Sequence, residues 1–202
     1  MGTEARLADL GVATTFEAAG GEGLVQGTFI RVVPGSRAAG PARTASCGPG
    51  DNLAAHRALE RLEPGEVLVL AVTEPRPVAV IGELIALQAK VRAAAAILVD
   101  GPVRDVDELA ALGLPVWARS VSAAGPAKGV RGELDVSVTV GGVAIAPGDV
   151  VVLDADGVVV VPRGRLEDVL AAAEARAAKE RDLVPRLEAG ELTLDLMDLR
   201  RD

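Results

Sequence analysis

A carboxylate, a gap of twenty residues and then an arginine–aspartate pair stand in the middle of the chain as Glu83, Arg104 and Asp105. Two carboxylates and a guanidinium around one point could hold a hard divalent cation and a small carboxylate-bearing substrate. Gly82 and Glu83 also open a predicted helix, so the free backbone N–H groups of Leu84 and Ile85 suit an anion at the same place. The same residues have a plainer reading. Glu83 could simply offset the helix dipole in the first turn, and Arg104-Asp105 could cap a helix begun by Val106-Asp107-Glu108-Leu109.

The surrounding pattern predicts strand, helix, strand. Val78 to Ile81 is a short apolar run ended by Gly82, and the stretch from Glu83 to about Ala94 is rich in helix formers. Leu84, Leu87 and Val91 recur as a stripe expected to lie on a sheet. Ala96 to Val99 has strand character, with Asp100-Gly101-Pro102 as a turn signal. A right-handed crossover makes these strands parallel and brings Glu83 and Arg104-Asp105 to one sheet edge, where open α/β folds place ligands.

Composition narrows the partners. The 202 residues suffice for a single domain with a sizeable core. Only 1% are aromatic and half are hydrophobic, so Ala, Val, Leu and Ile must fill that core. One Trp, two Phe and no Tyr leave almost nothing to stack on bases, and a formal charge of -8 opposes a phosphate backbone. Small molecules or proteins are the expected partners, not nucleic acid. Glu4, Arg6 and Asp9 interrupt any signal-peptide core, and no run approaches the length of a membrane span. With a single cysteine, these features predict a cytoplasmic protein.

Other chemistry-bearing residues carry less. Cys47, in Ser46-Cys47-Gly48-Pro49-Gly50, could be a nucleophile in a glycine-rich turn or a small buried hydrophobe, and the second is expected. His56, the one histidine, could donate a proton near the site but is expected to be structural. One His and one Cys cannot make a zinc set, whereas the many carboxylates favour Mg²⁺ or Mn²⁺. Asp154-Ala155-Asp156-Gly157 resembles a calcium loop, yet its twelfth position is Arg165 where a bidentate Glu is needed, so a hairpin turn is expected.

The remaining pattern predicts a layered α/β domain. Glu4 to Ala19 and Arg165 to Leu183 read as helices, and Thr28 to Val33 and Glu66 to Val72 as strands. A helix carrying His56 and Leu59 begins at Leu53, with Asp51 or Asn52 as its N-cap. The segment around Trp117, residues 136–140, residues 143–145 and two segments within 149–161 complete the β content. No repeats or low-complexity linkers divide the chain. The tail ELTLDLMDLRRD could pack on a neighbour.

Several blocks carry a resemblance over nearly the whole length: ATTFEAAG, IRVVPGSRAAGPA, GPGDNLAAHRAL, PGEVLVL, the Glu83 to Asp105 unit, LPVWAR and VGGVAIAPGDVVVLDADGVVVVP. The chain resembles the family that joins class II 4-hydroxy-4-methyl-2-oxoglutarate aldolases with the regulators of ribonuclease activity A. The resemblance implies one domain over residues 1–202, an αββα sandwich, with a C-terminal helix and tail from about 165, assembled as trimers or hexamers. It implies Asp105 as a direct metal ligand, Glu83 holding metal-bound waters, Arg104 on the pyruvyl oxygens, and the amides of Leu84 and Ile85 after Gly82 on the substrate carboxylate. A third acidic residue would come from a neighbouring subunit, with Glu180 the candidate and Glu174 and Glu188 close to it.

The implied reaction is retro-aldol cleavage of a 4-hydroxy-2-oxo diacid to pyruvate and a second oxo acid. Oxaloacetate decarboxylation would run through the same pyruvate enolate. The alternative is a non-catalytic regulator that binds a ribonuclease through its acidic surface. A methyltransferase is disfavoured, because no glycine-rich dinucleotide-type loop follows a first strand. The chain departs from the family in two places: Glu replaces the commoner Asp at 83, and alanines replace glycines around Ala93.

Overall fold

Valine- and leucine-rich runs such as Val67–Val72, Val150–Leu153 and Val158–Val161 have no polar face, and such runs form strands covered on both sides. The computed structural model describes residues 2–200. In chain order the elements are α1 (Thr3–Ala18), β1 (Ile30–Arg31), β2 (Ala38–Cys47), α2 (Leu53–Leu59), β3 (Val67–Val72), α3 (Glu83–Val91), β4 (Ala96–Val103) and α4 (Val106–Leu112). They continue as β5 (Val116–Val121), β6 (Glu133–Leu134), β7 (Val138–Val140), β8 (Val143–Ile145), β9 (Val150–Leu153), β10 (Val158–Val161), α5 (Leu166–Glu188) and α6 (Thr193–Leu196).

The chain is a single α/β domain whose mixed sheet curls strongly and is flanked by helices. Strand order is β1-β5-β4-β3-β2-β9-β10, with β6 beside β2 and β7–β8 as a separate hairpin. Strands β2 to β5 run parallel, while β9 and β10 are antiparallel additions. Alternation along each strand sorts side chains into separate cores. Leu68, Leu70, Ile97 and Val99 meet the small faces of α2 and α3. Val67, Val69, Ala96 and Leu98 point the other way and share a core with Val151, Leu153, Val158 and Val160 from the far end of the sheet. On the outer side of β9 and β10, Val150, Val152 and Val159 pack against Leu7 and Val12 of α1 and Leu170 of α5.

Several expected elements are corrected. Val78–Ile81 is not a strand: its only ladder contact is an isolated parallel bridge from Ile81 to Val103. Pro75 and Pro77 remove backbone donors just upstream, so β3 is the strand that precedes the crossover. Strand β4 runs on to Val103, and Asp100-Gly101-Pro102 forms an irregularity within it rather than a turn. The strand expected over Thr28 to Val33 shortens to two residues. Helix α1 is broken at Gly11, whose φ of 83° is outside the helical region; Asp154 Oδ2 accepts the Val12 N–H at 2.8 Å, capping the second half.

The expected stripe on α3 is also wrong. Leu84, Leu87 and Val91 are 76%, 43% and 78% exposed, and the buried face is Ile85, Ala86 and Ala89. The sequence offers two apolar faces, and the one carrying alanines lets the helix approach the sheet closely. The helix ends at Val91, three residues early. Ala94 N–H bonds the Ala89 carbonyl at 3.0 Å and Ala93 N–H that of Lys90 at 2.9 Å, a Schellman closure with Ala93 at φ 58°. An alanine therefore occupies the left-handed position that glycine usually fills. At the other end of the chain, α5 extends beyond the expected Leu183 to Glu188. The tail is a short helix with Leu192, Leu194, Met197 and Leu199 exposed; Arg201 and Asp202 lie outside the described residues.

Candidate functional site

Three backbone features assemble the site. The bridge at Ile81 and Val103 is extended by Arg104 N–H to the Ile81 carbonyl at 3.1 Å, which places Arg104-Asp105 beside the start of α3. Asp105 then turns the chain into α4 from a left-handed conformation (φ 58°, ψ 47°), which aspartate tolerates better than most residues. Its side chain does not cap α4. Asp105 Oδ2 instead accepts the first N–H of α3, that of Glu83, at 3.0 Å.

Gly82 is the close-approach point. A Cβ there would lie 2.2 Å from Asp105 Oδ2 and 3.0 Å from Arg104 Nε, so only glycine leaves room for both side chains. Arg104 Nε sits 3.5 Å from Asp105 Oδ2, and both side chains are partly open to solvent. The N–H groups of Leu84 and Ile85 have no acceptor within the first turn of α3. Gly82, Leu84, Ile85, Arg104 and Asp105 line one cleft of about 420 Å³, which is open on one side.

Sequence reasoning missed the opposite wall. It carries Asn52, His56, Pro126 and Lys128. Asp51 builds that wall: Oδ2 accepts the N–H groups of Gly129 at 2.6 Å and Val130 at 3.0 Å, and Oδ1 accepts that of Leu53 at 2.9 Å. The expected N-cap bond of α2 therefore comes from Asp51, while Asn52 occupies the cap position without a capping side-chain bond. Burial alone would raise the Asp51 pKa, but the Leu53, Val130 and Gly129 amides together hold it below the ordinary carboxylate value. Asn52 Nδ2 donates to the Val80 carbonyl at 2.9 Å, and its buried Oδ1 has no partner. The only sequence signal for Lys128 was a basic residue in a Gly- and Pro-containing segment.

His56 is half-buried on α2. Burial and then the positive charge of Lys128 lower its pKa, so the imidazole is neutral at pH 7. Cys47 is fully buried, and burial pushes its thiol up to about 12, which makes it no nucleophile at neutral pH. The Asp154 to Gly157 segment is the expected hairpin turn, closed by Asp154 N–H to the Gly157 carbonyl at 3.1 Å.

Acidic residues are sparse for a metal site within one chain. Among the described residues no group of three or more His, Cys, Asp or Glu converges. Glu83 contributes its backbone to the Asp105 contact, while its exposed side chain is not part of the cleft wall. Glu180 is on α5, paired with Arg176 at 3.0 Å, and Glu174 is paired with Arg6. Two carboxylates fit Mg²⁺, which keeps several waters and needs only one or two. Asp105 retains a second oxygen beyond the one bonded to Glu83.

Comparisons with known proteins agree with one another. The RraA-like family model, described as Aldolase/RraA, matches residues 5–160. A Halalkalibacterium halodurans protein named "Putative 4-hydroxy-4-methyl-2-oxoglutarate aldolase" is 38% identical over 141 residues, covering 70% of this chain and 67% of that protein. An uncharacterised protein from Pseudomonas syringae pv. tomato superposes with a TM-score of 0.87 at 25% identity, over 98% of this chain and 93% of its own. The structure of the RNA-processing inhibitor RraA from Thermus thermophilis gives a TM-score of 0.64 at 30% identity, over 70% of this chain and 85% of its own. The family model covers both walls of the cleft, and the chain belongs to the RraA-like family.

Proposed function

We propose that this chain is a divalent-metal-dependent lyase that cleaves 4-hydroxy-4-methyl-2-oxoglutarate-type substrates to pyruvate and a second oxo acid, and that it also decarboxylates oxaloacetate. The observation that carries this reading is the convergence of Asp105, Arg104 and the α3 amino terminus on Gly82, where a Cβ would clash. Asp105 would hold Mg²⁺ or Mn²⁺ directly and Glu83 through water. A bound divalent cation supplies Lewis-acid polarisation of the substrate carbonyl. The Leu84 and Ile85 amides hold the substrate carboxylate at the helix start. The Arg104 guanidinium lies beside the same oxygens and stabilises charge that develops as the carbon–carbon bond breaks.

Proton acceptance needs more than a single chain provides. In this reading Glu180 of a neighbouring subunit helps to order the water that takes the substrate hydroxyl proton. The exposed stripe of Leu84, Leu87 and Val91 and the exposed apolar residues of the tail support assembly as a homotrimer or hexamer. We likewise read the two halves of the curled sheet, with α2 to α4 outside one and α1 and α5 outside the other, as an αββα sandwich.

A second reading is a protein-binding regulator of a ribonuclease, favoured by the likeness to the RNA-processing inhibitor and by the charge of -8. Pyruvate release separates the two. Oxaloacetate and 4-hydroxy-4-methyl-2-oxoglutarate are each offered with Mg²⁺ or Mn²⁺, then with EDTA, to the protein and to Asp105→Ala. Metal-dependent release that vanishes in the variant supports the lyase. Release that persists in Asp105→Ala removes the assigned ligand, and no release from either substrate favours the regulator.

A further inference from the structure

The wall facing Arg104 and Asp105 is built to hold a cation in place. Lys128 lies on an exposed segment without regular structure, yet that segment is tied down on both sides of it. Ala127 N–H bonds the Gly50 carbonyl at 2.9 Å, Asn52 N–H bonds the Ala127 carbonyl at 3.0 Å, and Asp51 takes the next two amides. A buried aspartate is spent on fixing the backbone around one lysine. Among the described residues no ion pair or hydrogen bond of the Lys128 ammonium is present, although it lines the cleft.

A second observation marks the same wall. Asn52 is 4% exposed, its amide nitrogen is fixed by the Val80 carbonyl, and its Oδ1 is left without a donor. A buried acceptor left unpaired in a ligand-sized cleft is completed by what enters, either directly or through a water. His56, held neutral, brings no competing positive charge.

We propose that Lys128 and Asn52 form the distal pole of the cleft and select 2-oxo acids that carry a second carboxylate at the far end, with Asp51 as the positioning residue. The proposal rests on the lyase reading for which end of the substrate meets Arg104, but its own claim concerns binding. One end of the ligand meets the α3 amino terminus and Arg104, and the other meets the Lys128 ammonium. A monoacid of equal length leaves that ammonium without a partner.

Binding of 2-oxoglutarate and 2-oxopentanoate, which match in chain length and differ in the terminal carboxylate, tests this by calorimetry in Mg²⁺. The diacid is expected to bind roughly 10- to 100-fold more tightly, the span of one charge-assisted hydrogen bond. Lys128→Met should reduce the ratio to within about threefold, and Lys128→Arg should keep part of it. Asp51→Asn should narrow the ratio while Lys128 itself is unchanged. Equal affinities in the unaltered protein, or a ratio that survives Lys128→Met, would overturn the proposal. If the ratio behaves as expected but no lyase turnover is found, the subsite stands and the lyase reading falls.

Discussion

Asp105 caps a helix that begins twenty-two residues before it: its Oδ2 accepts the Glu83 N–H at 3.0 Å, although Asp105 itself sits at the start of α4. One carboxylate thus fixes the junction of two helices and still presents an oxygen to the cleft. Structural and chemical roles of this residue are separable by substitution.

Asparagine at 105 keeps an acceptor for the Glu83 amide and tolerates the left-handed backbone, whereas alanine loses both. Asp105→Ala should lose about 1–2 kcal/mol of stability, and Asp105→Asn less than about 0.5 kcal/mol on the same grounds. Both should lose metal-dependent pyruvate release. Urea denaturation alongside the activity assay checks the pair, and equal stability losses would show that the cap contributes nothing.

Gly82→Ala addresses geometry alone. The backbone there (φ -145°, ψ -162°) is open to any residue, so the added methyl acts only on Asp105 and Arg104. Turnover should fall by about 100-fold, the scale expected for small displacements of positioned groups. Stability should change by about 1 kcal/mol at most, the worth of one cap. Steady-state kinetics and thermal unfolding would show whether the two separate.

Ala93 has a strained φ of 58° in the closure of α3. Ala93→Gly should stabilise the protein by about 1 kcal/mol because glycine adopts that conformation without steric cost. Activity should be unaffected. A denaturant midpoint that stays put or falls would mean the entropy of the added glycine outweighs the relief.

Asp51 gives a pH signature. Its folded pKa is below the ordinary 3.8, so its stabilisation is complete above that value and disappears as pH falls through the lower folded pKa. Asp51→Asn should therefore cost about 1–3 kcal/mol at pH 7, from buried donors left poorly paired, and the gap from the unaltered protein should close below about pH 4. Melting curves from pH 3 to pH 7 measure it, and a gap that persists in acid would exclude the charge as its cause.

What the sequence reveals depends on how locally each feature is determined. Runs such as Val150–Leu153 and Val158–Val161 announce paired strands, and the Asp154 to Gly157 turn between them was legible for the same reason. The meeting of Glu83 with Arg104-Asp105 could be read from spacing and crossover handedness. Which face of α3 is buried could not, because Leu84, Leu87, Val91 and the Ile85, Ala86, Ala89 set are both apolar and tertiary contact decides between them. Lys128 was invisible because its position depends on Asp51, 77 residues away, through a clamp that no short motif encodes.

Strand β2 belongs to both halves of the sheet: Ala42 to Cys47 pair with β3, and Ala38 to Pro41 pair with β9. The first partner follows within a short loop, while the second is more than a hundred residues away. Loop closure favours near pairings early. During synthesis the parallel β2 to β5 unit, with the Gly82 and Asp105 junction, would then nucleate before β9 has left the ribosome. Docking of α1 against α5, the two ends of the chain, would come last.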